Sequence, residues 1–439
     1  MKKFLFSLLC VCLVSSASEA RSGPPNVILI MADDLGYECI GANGCDDYQT
    51  PELDKLAAGG VRFTNCFSNP ICTPSRVKIM TGMFNVRNYV RFGLLDRQQK
   101  TFAHTFKAAG YTTCIAGKWQ LGKDKDAPQH FGFDQSCLWQ HMRKRTRDGQ
   151  PCDSRFSNPR VEINGEPKDY DNGEYGPDVC ADFICDFIET NKNKPFLAYY
   201  PMLLTHCPFT PTPDSKDWNP ESKGAKTYKG DPKHFGDMVH HMDKVVGRII
   251  AKLEQHKLRE NTIVIFTGDN GTDRPVVTSL NGKKVRWGKG QMNDNGTRVP
   301  LIVSYPGKIQ SGAVSDVLVD FADMLPTLCE AGGLAVPTDR PIDGVSFWST
   351  LQGEPGRKKP WTYIWWEGKV LARTQTHMLR RMKRKGEIEF IDCSTPYEPK
   401  QLKTDQLEGN AKASYETLLG VIRKLDQARP RTRPTKDTP

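Results

Sequence analysis

The chain has 439 residues, of which 38% are hydrophobic and 26% charged, with 37 Gly and 30 Pro. This composition supplies enough apolar material for a large core, with two or three domains as the prior, and disorder is not the default reading. The formal net charge of +10 favours an anionic partner, and with no recognition motif in a chain that starts with an export signal, nucleic acid is excluded as that partner. The signal is read at residues 1–20. Lys2 and Lys3 precede an apolar run from Phe4 to Val14, and small residues lead to Ala20, the pattern of a cleavable secretory leader. The run falls short of the about 20 residues that a spanning helix needs, so the expectation is a periplasmic or secreted protein without a stable membrane anchor. Of fourteen cysteines, Cys10 and Cys12 fall in the leader, and the twelve from Cys39 to Cys393 face a compartment where disulfides are permitted but not deducible from spacing.

Next in the chain, "PNVILIMADDLGY" carries a continuous apolar run, Val27 to Met31, that ends in Asp33 and Asp34. A strand buried on both faces of a parallel sheet reads this way. "TPELDKLAAGG" predicts a helix with Thr50 as N-cap, Pro51 at the first helical position and Gly59 and Gly60 as the stop. Further strands are read in "GVRFTN", "TTCIAGKW" and "PFLAYYPMLLTHCPF", and helices behind Cys72 and in "KTFAHTFKAAGY". In "GDMVHHMDKVVGRIIAKLEQ", Met238, Met242, Val245, Val246, Ile249, Ile250 and Leu253 share one helical face. His240 and His241 on that helix are not read as catalytic. "NTIVIFTGDNG" is a second buried strand ending in an acid. The alternation predicts an α/β domain, residues 24–350, built on a large, mainly parallel sheet with ligands at the carboxyl ends of its strands. From residue 351 to 428 the short strands "WTYIWWEG", "KVLARTQT" and "EIEFID" predict a small antiparallel sheet, closed by a helix with Leu418, Leu419, Ile422 and Leu425 on one face. Residues 429–439 read as a mobile basic tail.

Asp33 with Asp34, and Asp269 with Asn270, place four oxygen donors at two strand ends. Such donors suit a hard cation, Ca²⁺ or Mg²⁺, rather than zinc, although each pair alone also fits an ordinary turn or cap. Adjacent strand residues point to opposite faces, so Asp33 and Asp34 converge only where the chain turns; Gly36 permits that turn. Between the two pairs, Cys72 stands in "ICTPSRVKIMTG" at the start of a predicted helix, where unpaired N–H groups suit an anion.

The segment Cys72-Thr73-Pro74-Ser75-Arg76 with Thr81-Gly82 resembles the sulfatase signature, in which the cysteine is oxidised after translation to formylglycine. The resemblance runs over nearly the whole chain after the leader: "PNVILIMADDLGY", "AGKWQLG", "THCPF", "FTGDNG", "GKGQMNDNGTRVP" and "EFIDCSTPYEP" match the family's elements in order. It implies an alkaline-phosphatase-like fold and a sulfuric ester hydrolase. Its metal site would comprise Asp33, Asp34, Asp269, Asn270 and modified Cys72 around Ca²⁺, with Mg²⁺ as the alternative. Arg76 would hold the formylglycine, Lys118 and Lys289 would neutralise the sulfuryl oxygens, and His206 would donate a proton to the leaving oxygen. A formylglycine hydrate carries two hydroxyls on one carbon, so one attacks sulfur and the resulting sulfated hemiacetal collapses to the aldehyde by losing sulfate. A formylglycine-generating maturation enzyme is an implied partner.

Two positions depart from the family pattern. Gln120 stands where the family has a histidine that takes the proton starting sulfate elimination, and glutamine cannot titrate. Asp294 replaces a glutamate. The loop 211–236 is a candidate specificity element, and the basic runs "MRKRTR" (142–147) and "LRRMKRK" (379–385) are either solvated faces or anion contacts. The expected substrate is a sulfated small molecule or polysaccharide, a carbohydrate before an aryl sulfate. The competing readings are a phosphonate monoester or phosphodiester hydrolase on the same scaffold, and a non-catalytic binder of anionic glycans.

Overall fold

A computed structural model of the chain describes residues 23–430 except 140, 143, 148, 356–358 and 385. The leader read at residues 1–20 and nearly all of the basic tail lie outside these.

The order of elements begins β1 (Asn26–Ala32), α1 (Pro51–Ala58), β2 (Val61–Phe67), α2 (Cys72–Thr81), α3 (Phe102–Ala108), β3 (Thr112–Gly117) and β4 (Gln135–Trp139). It continues β5 (Arg160–Ile163), β6 (Glu166–Asp169), α4 (Gly176–Thr190), β7 (Phe196–Pro201), α5 (Phe235–Gln255), β8 (Thr262–Gly268), β9 (Arg298–Ser304), β10 (Ala313–Ser315) and β11 (Val319–Asp320). These strands form one eleven-stranded sheet in the order β10-β2-β9-β8-β1-β7-β3-β4-β5-β6, with β11 also on β2. The centre, β8-β1-β7-β3-β4, is parallel throughout. Antiparallel pairing begins at β9 on one side and at β5 on the other, so the sheet is mixed, with the expected parallel sheet as its core.

The unbroken apolar run of β1 follows from burial on both faces. Ile28, Ile30 and Ala32 enter one core beneath α1, α4 and α5, while Val27, Leu29 and Met31 enter the other beneath α2 and α3. The α5 face closes the first core: Met238, Met242, Val245, Val246, Ile249 and Leu253 are fully buried, and Ile250 packs at its edge.

Thr50 holds the N-cap position of α1, but its hydroxyl does not cap the helix. It accepts from Gly41 N at 2.8 Å and donates to Asp54 at 3.2 Å. The free N–H groups of Glu52 and Leu53 are taken instead by the Asp243 carboxylate of α5, at 2.9 and 2.8 Å. A tertiary contact thus replaces the local cap. Asp243→Ala is expected to lower stability by about 1–2 kcal/mol, read as a reduced urea midpoint.

The C-terminal sheet has five antiparallel strands: β12 (Thr362–Trp366), β13 (Lys369–Arg373), β14 (His377–Arg381), β15 (Ile388–Asp392) and β16 (Lys400–Leu402). β14 and β16 carry no clear alternation and were absent from the sequence reading. The closing helix α6 (Gly409–Gln427) buries Leu418, Ile422 and Leu425, with Val421 joining them and Leu419 at the margin. This layer packs on Phe84 and Val86 of the main body. In the run 379–385, Arg380 pairs with Glu389 and Arg381 with Asp426, so these two arginines serve the C-terminal layer.

Candidate active site

Strands β1 and β8 run parallel with Ala32 opposite Gly268, so Asp33-Asp34 and Asp269-Asn270 leave the sheet side by side at its carboxyl edge. The turn that brings both aspartates inward lies at Asp34 itself, in left-handed backbone at φ 60°. Gly36 is extended, at φ −73° and ψ 165°. Aspartate tolerates that conformation because its short side chain hydrogen-bonds locally. Here Asp34 N donates to Asp269 Oδ1 at 3.0 Å, and Asn270 Nδ2 donates to Asp34 Oδ1 at 2.8 Å. All four residues are fully buried.

Helix α2 presents Cys72 at its first position, and its N-cap, Ile71, offers no side-chain acceptor. Pro74 has no N–H and Ser75 N donates to the Ile71 carbonyl, so the N–H groups of the first turn that an anion could take are those of Cys72 and Thr73. Cys72 Sγ lies 3.6 Å from Asp33 Oδ1 and 3.9 Å from Asp34 Oδ1. One turn on, Arg76 donates to Asp269 Oδ2 at 3.0 Å and to the Lys118 carbonyl at 2.9 Å. Gly117 ends β3 at φ 112°, where a Cβ would stand 2.0 Å from the Pro201 carbonyl oxygen; only glycine allows the chain to bend there and deliver Lys118. The Lys118 ammonium spans Asp33, at 2.6 and 2.9 Å. Lys289 reaches Asp34 Oδ2 at 2.6 Å and His206 Nε2 at 3.2 Å. Gln120, at φ 57°, accepts from Thr73 Oγ1 at 3.2 Å, next to Cys72. Asp33, Asp34, Cys72, Arg76, Lys118, Gln120, His206, Asp269, Asn270 and Lys289 thus stand in one cluster. Asp294 does not: it is buried between Arg298 and Arg373, where it serves packing.

Three carboxylates, Asp33, Asp34 and Asp269, face three cations, Arg76, Lys118 and Lys289, so this inner group is neutral by count. Burial alone would raise Asp33, but Lys118, with His206 and Arg76 behind it, holds its carboxyl well below the usual range. Burial raises Asp34, and burial with the neighbouring Asp33 pushes Asp269 up to about 7. The Cys72 thiol is driven well above its ordinary value by burial and by Asp269. An unmodified thiol here stays protonated and is a poor nucleophile.

The donor set fits a hard divalent cation. Asp33, Asp34, Cys72 and His206 each offer a ligand atom within 4.8 Å of the others, and Asn270 Oδ1 is buried without a hydrogen-bond partner, an acceptor that a cation would satisfy. Asp269 is not in this group, and its two oxygens accept from Asp34 N and from Arg76.

Two residues were missed by sequence reasoning. His206 Nδ1 receives Arg155 Nη1 at 2.6 Å and also touches the Cys207 carbonyl oxygen. Arg155 is fully buried and gripped by Asp153 at 2.9 Å through both Nε and Nη2. Burial, then Arg155, pushes the His206 pKa well below its usual value. The segment "CDSRFSNP" that carries Asp153 and Arg155 has no spacing signature, and only folding brings it to His206.

Comparison with known proteins agrees with this geometry. A family model described as Sulfatase matches residues 25–334, and one described as N-sulphoglucosamine sulphohydrolase, C-terminal, matches residues 282–432. The N-acetylgalactosamine-6-sulfatase of Canis lupus familiaris is 30% identical over 80% of this chain and 71% of its own length. Human arylsulfatase A is 32% identical over 78% of this chain and 70% of its own length. A solved structure in complex with its substrate D-glucosamine-2-N,6-O-disulfate superposes with a TM-score of 0.71 at 21% identity, covering 94% of this chain and 100% of that one, and supports the fold. The chain belongs to the sulfatase family of sulfuric ester hydrolases, on an alkaline-phosphatase-like fold.

Proposed function

We propose that this chain hydrolyses a sulfate ester on a sulfated carbohydrate, with residue 72 as formylglycine and Ca²⁺, or alternatively Mg²⁺, held by Asp33, Asp34, Asp269 and Asn270 together with residue 72. The observation that carries the reading is the convergence of both acidic strand ends on Cys72, within 3.6 Å at Asp33. The formylglycine hydrate supplies a hydroxyl for attack on sulfur, and its second hydroxyl allows sulfate to leave. The chain's own residues do the remaining work. Lys118 and Lys289 place ammonium groups where sulfuryl oxygens gain charge, with the N–H groups of α2 aimed at the same oxygens. Arg76, fixed between Asp269 and the Lys118 carbonyl, orients residue 72.

His206 is the proton donor to the leaving oxygen. With Arg155 donating to Nδ1, the ring proton of the neutral form sits on Nε2 and faces the Asp34 carboxylate at 3.6 Å, and the Lys289 ammonium, which can only donate, is then a neighbour of Nε2 and not its hydrogen-bond partner. An arriving ester anion opposes the pKa depression and draws a second proton onto Nδ1, which then donates to the Cys207 carbonyl and gives up the bond it accepted from Arg155. Tyr228, 56% exposed in the loop 211–236, sets its ring edge-on to His206 at 6.3 Å, where it can cover the sugar face of the leaving group.

Gln120 occupies the position of the base that starts sulfate elimination in the family. Gln120→His is expected to raise kcat severalfold, because histidine both titrates and tolerates the left-handed backbone at that position. An unchanged kcat would place the limiting step elsewhere.

Signal cleavage, periplasmic or secreted placement, action by a formylglycine-generating enzyme, and division into a catalytic body (24–350) and a C-terminal unit (351–428) complete the proposal. Among the described residues no helix is long and apolar enough to cross a membrane. Side-by-side assay of an aryl sulfate, a sulfated sugar, a phosphodiester and a phosphonate ester tests the reading; preference for either phosphorus ester, or turnover of none, would overturn it.

A further inference from the structure

Among the described residues, Phe92 and Tyr228 are the most exposed aromatic side chains, at 49% and 56%, and both stand at the border of the active site. Tyr228 is on the border marked by the proton donor, with its ring edge-on to His206. Backbone bonds and an ion pair fix its place. Phe209 N donates to the Lys229 carbonyl at 2.7 Å and Asp231 N to the Phe209 carbonyl at 2.9 Å, which ties residues 229–231 to the segment that follows His206. The Lys229 ammonium meets Asp273 at 2.6 Å and lies 5.4 Å from the Tyr228 ring centroid. Phe92 is on the border marked by Gln120. The amide N–H that joins it to Gly93 donates to Thr73 Oγ1 at 3.0 Å, and that hydroxyl, next in the chain to residue 72, donates to Gln120 Oε1 at 3.2 Å. Gly93, Lys118 and Gln120 also line a cleft of about 360 Å³, a size that accepts a small ligand.

Single apolar side chains scattered over a surface need no explanation. Here the two most exposed rings of the chain adjoin one site, on borders marked by different residues. Each leaves apolar area in water that the C–H face of a pyranose can cover. The ring beside His206 is placed for the sugar whose oxygen takes the proton. The ring beside Gln120 has no part in that proton transfer, and the cleft next to it leaves room for a further unit. We propose that Phe92 holds a second sugar, glycosidically joined to the one that carries the scissile ester, so that the preferred substrate is a sulfated oligosaccharide of at least two units, the first against Tyr228 and the second against Phe92. The inference rests on the sulfate-ester reading above and specifies the size of its substrate. It asks for no charge on the second sugar, because the contact is apolar.

The test is calorimetric binding to the full chain carrying Cys72→Ala, which cannot turn the ligand over. The ligands are a monosulfated hexosamine and the two disaccharides in which the same sulfated unit is joined to a neutral sugar at one end or the other. One of the two disaccharides is expected to bind about tenfold more tightly than the monosaccharide, and the gain is expected to hold as salt rises, since screening acts on charges. Phe92→Ala is expected to abolish the gain and leave the monosaccharide affinity as it was, while Phe92→Tyr retains it; the exposure of the side chain keeps both substitutions clear of the core. Tyr228→Ala is expected to weaken monosaccharide and disaccharide by the same severalfold factor, and Tyr228→Phe to weaken neither. Equal affinity for the monosaccharide and both disaccharides, a gain that survives Phe92→Ala, or a gain that fades with salt overturns the proposal. Should the gain be present and lost with Phe92 while the mature enzyme releases no sulfate from any of these sugars, the hydrolytic reading fails and the assignment of Phe92 stands.

Discussion

Cys72→Ala is expected to reduce sulfate release by on the order of 10⁴-fold or more, because it removes the nucleophile and no neighbouring side chain can replace it. Fold and stability are expected to survive, since the substitution removes one small side-chain atom at the first position of the helix and leaves its backbone bonds in place. Cys72→Ser distinguishes this account from one based on a simple hydroxyl nucleophile. A serine oxygen could accept the sulfuryl group, but its carbon carries no second hydroxyl with which to expel sulfate, so the variant is expected to give at most a single turnover. The readout is released sulfate per active chain, followed from the first seconds. Sustained turnover by Cys72→Ala would mean that the reacting atom belongs to another residue.

The second large effect is expected at His206. Protonating the leaving oxygen matters in proportion to how poor a leaving group it is, so the cost of His206→Gln should depend on the substrate. For a sugar alcohol, kcat/KM is expected to fall by about 10²- to 10⁴-fold, and for a nitrophenyl sulfate by less than about tenfold. The pH dependence carries the same information. Burial and Arg155 lower the His206 pKa in the free protein, so the charged donor becomes scarcer as pH rises, and kcat/KM for the sugar sulfate should decline on the alkaline side of that lowered value. His206→Gln should flatten that decline. Equal losses on both substrates would argue instead that His206 binds rather than protonates.

The parts of this architecture that could be read in the sequence share one property: they depend on neighbours in the chain. The β1 and β8 runs are apolar without interruption because both of their faces are buried, and α5 shows a helical period because only one of its faces is. The acids, Cys72, Lys118, His206 and Lys289 stand at element ends within short motifs, and the structure brings them together. What escaped reading depends on residues far apart in sequence. Asp243 caps α1 from nearly two hundred positions away, so Thr50 looked like the cap. Arg155 meets His206 only because β4, β5 and the chain between them lie along the β7 side of the sheet. Gly36 permits a turn after the two acids, but the left-handed residue is Asp34, whose backbone N–H bonds to Asp269 more than two hundred positions away.

The central claim is tested most directly by mass spectrometry of the peptide containing residue 72, taken from preparations matured to different extents and paired with sulfate release from the same samples. The account predicts an aldehyde in place of the thiol, with turnover rising in proportion to the fraction converted. Full activity in protein whose residue 72 is entirely cysteine would contradict it.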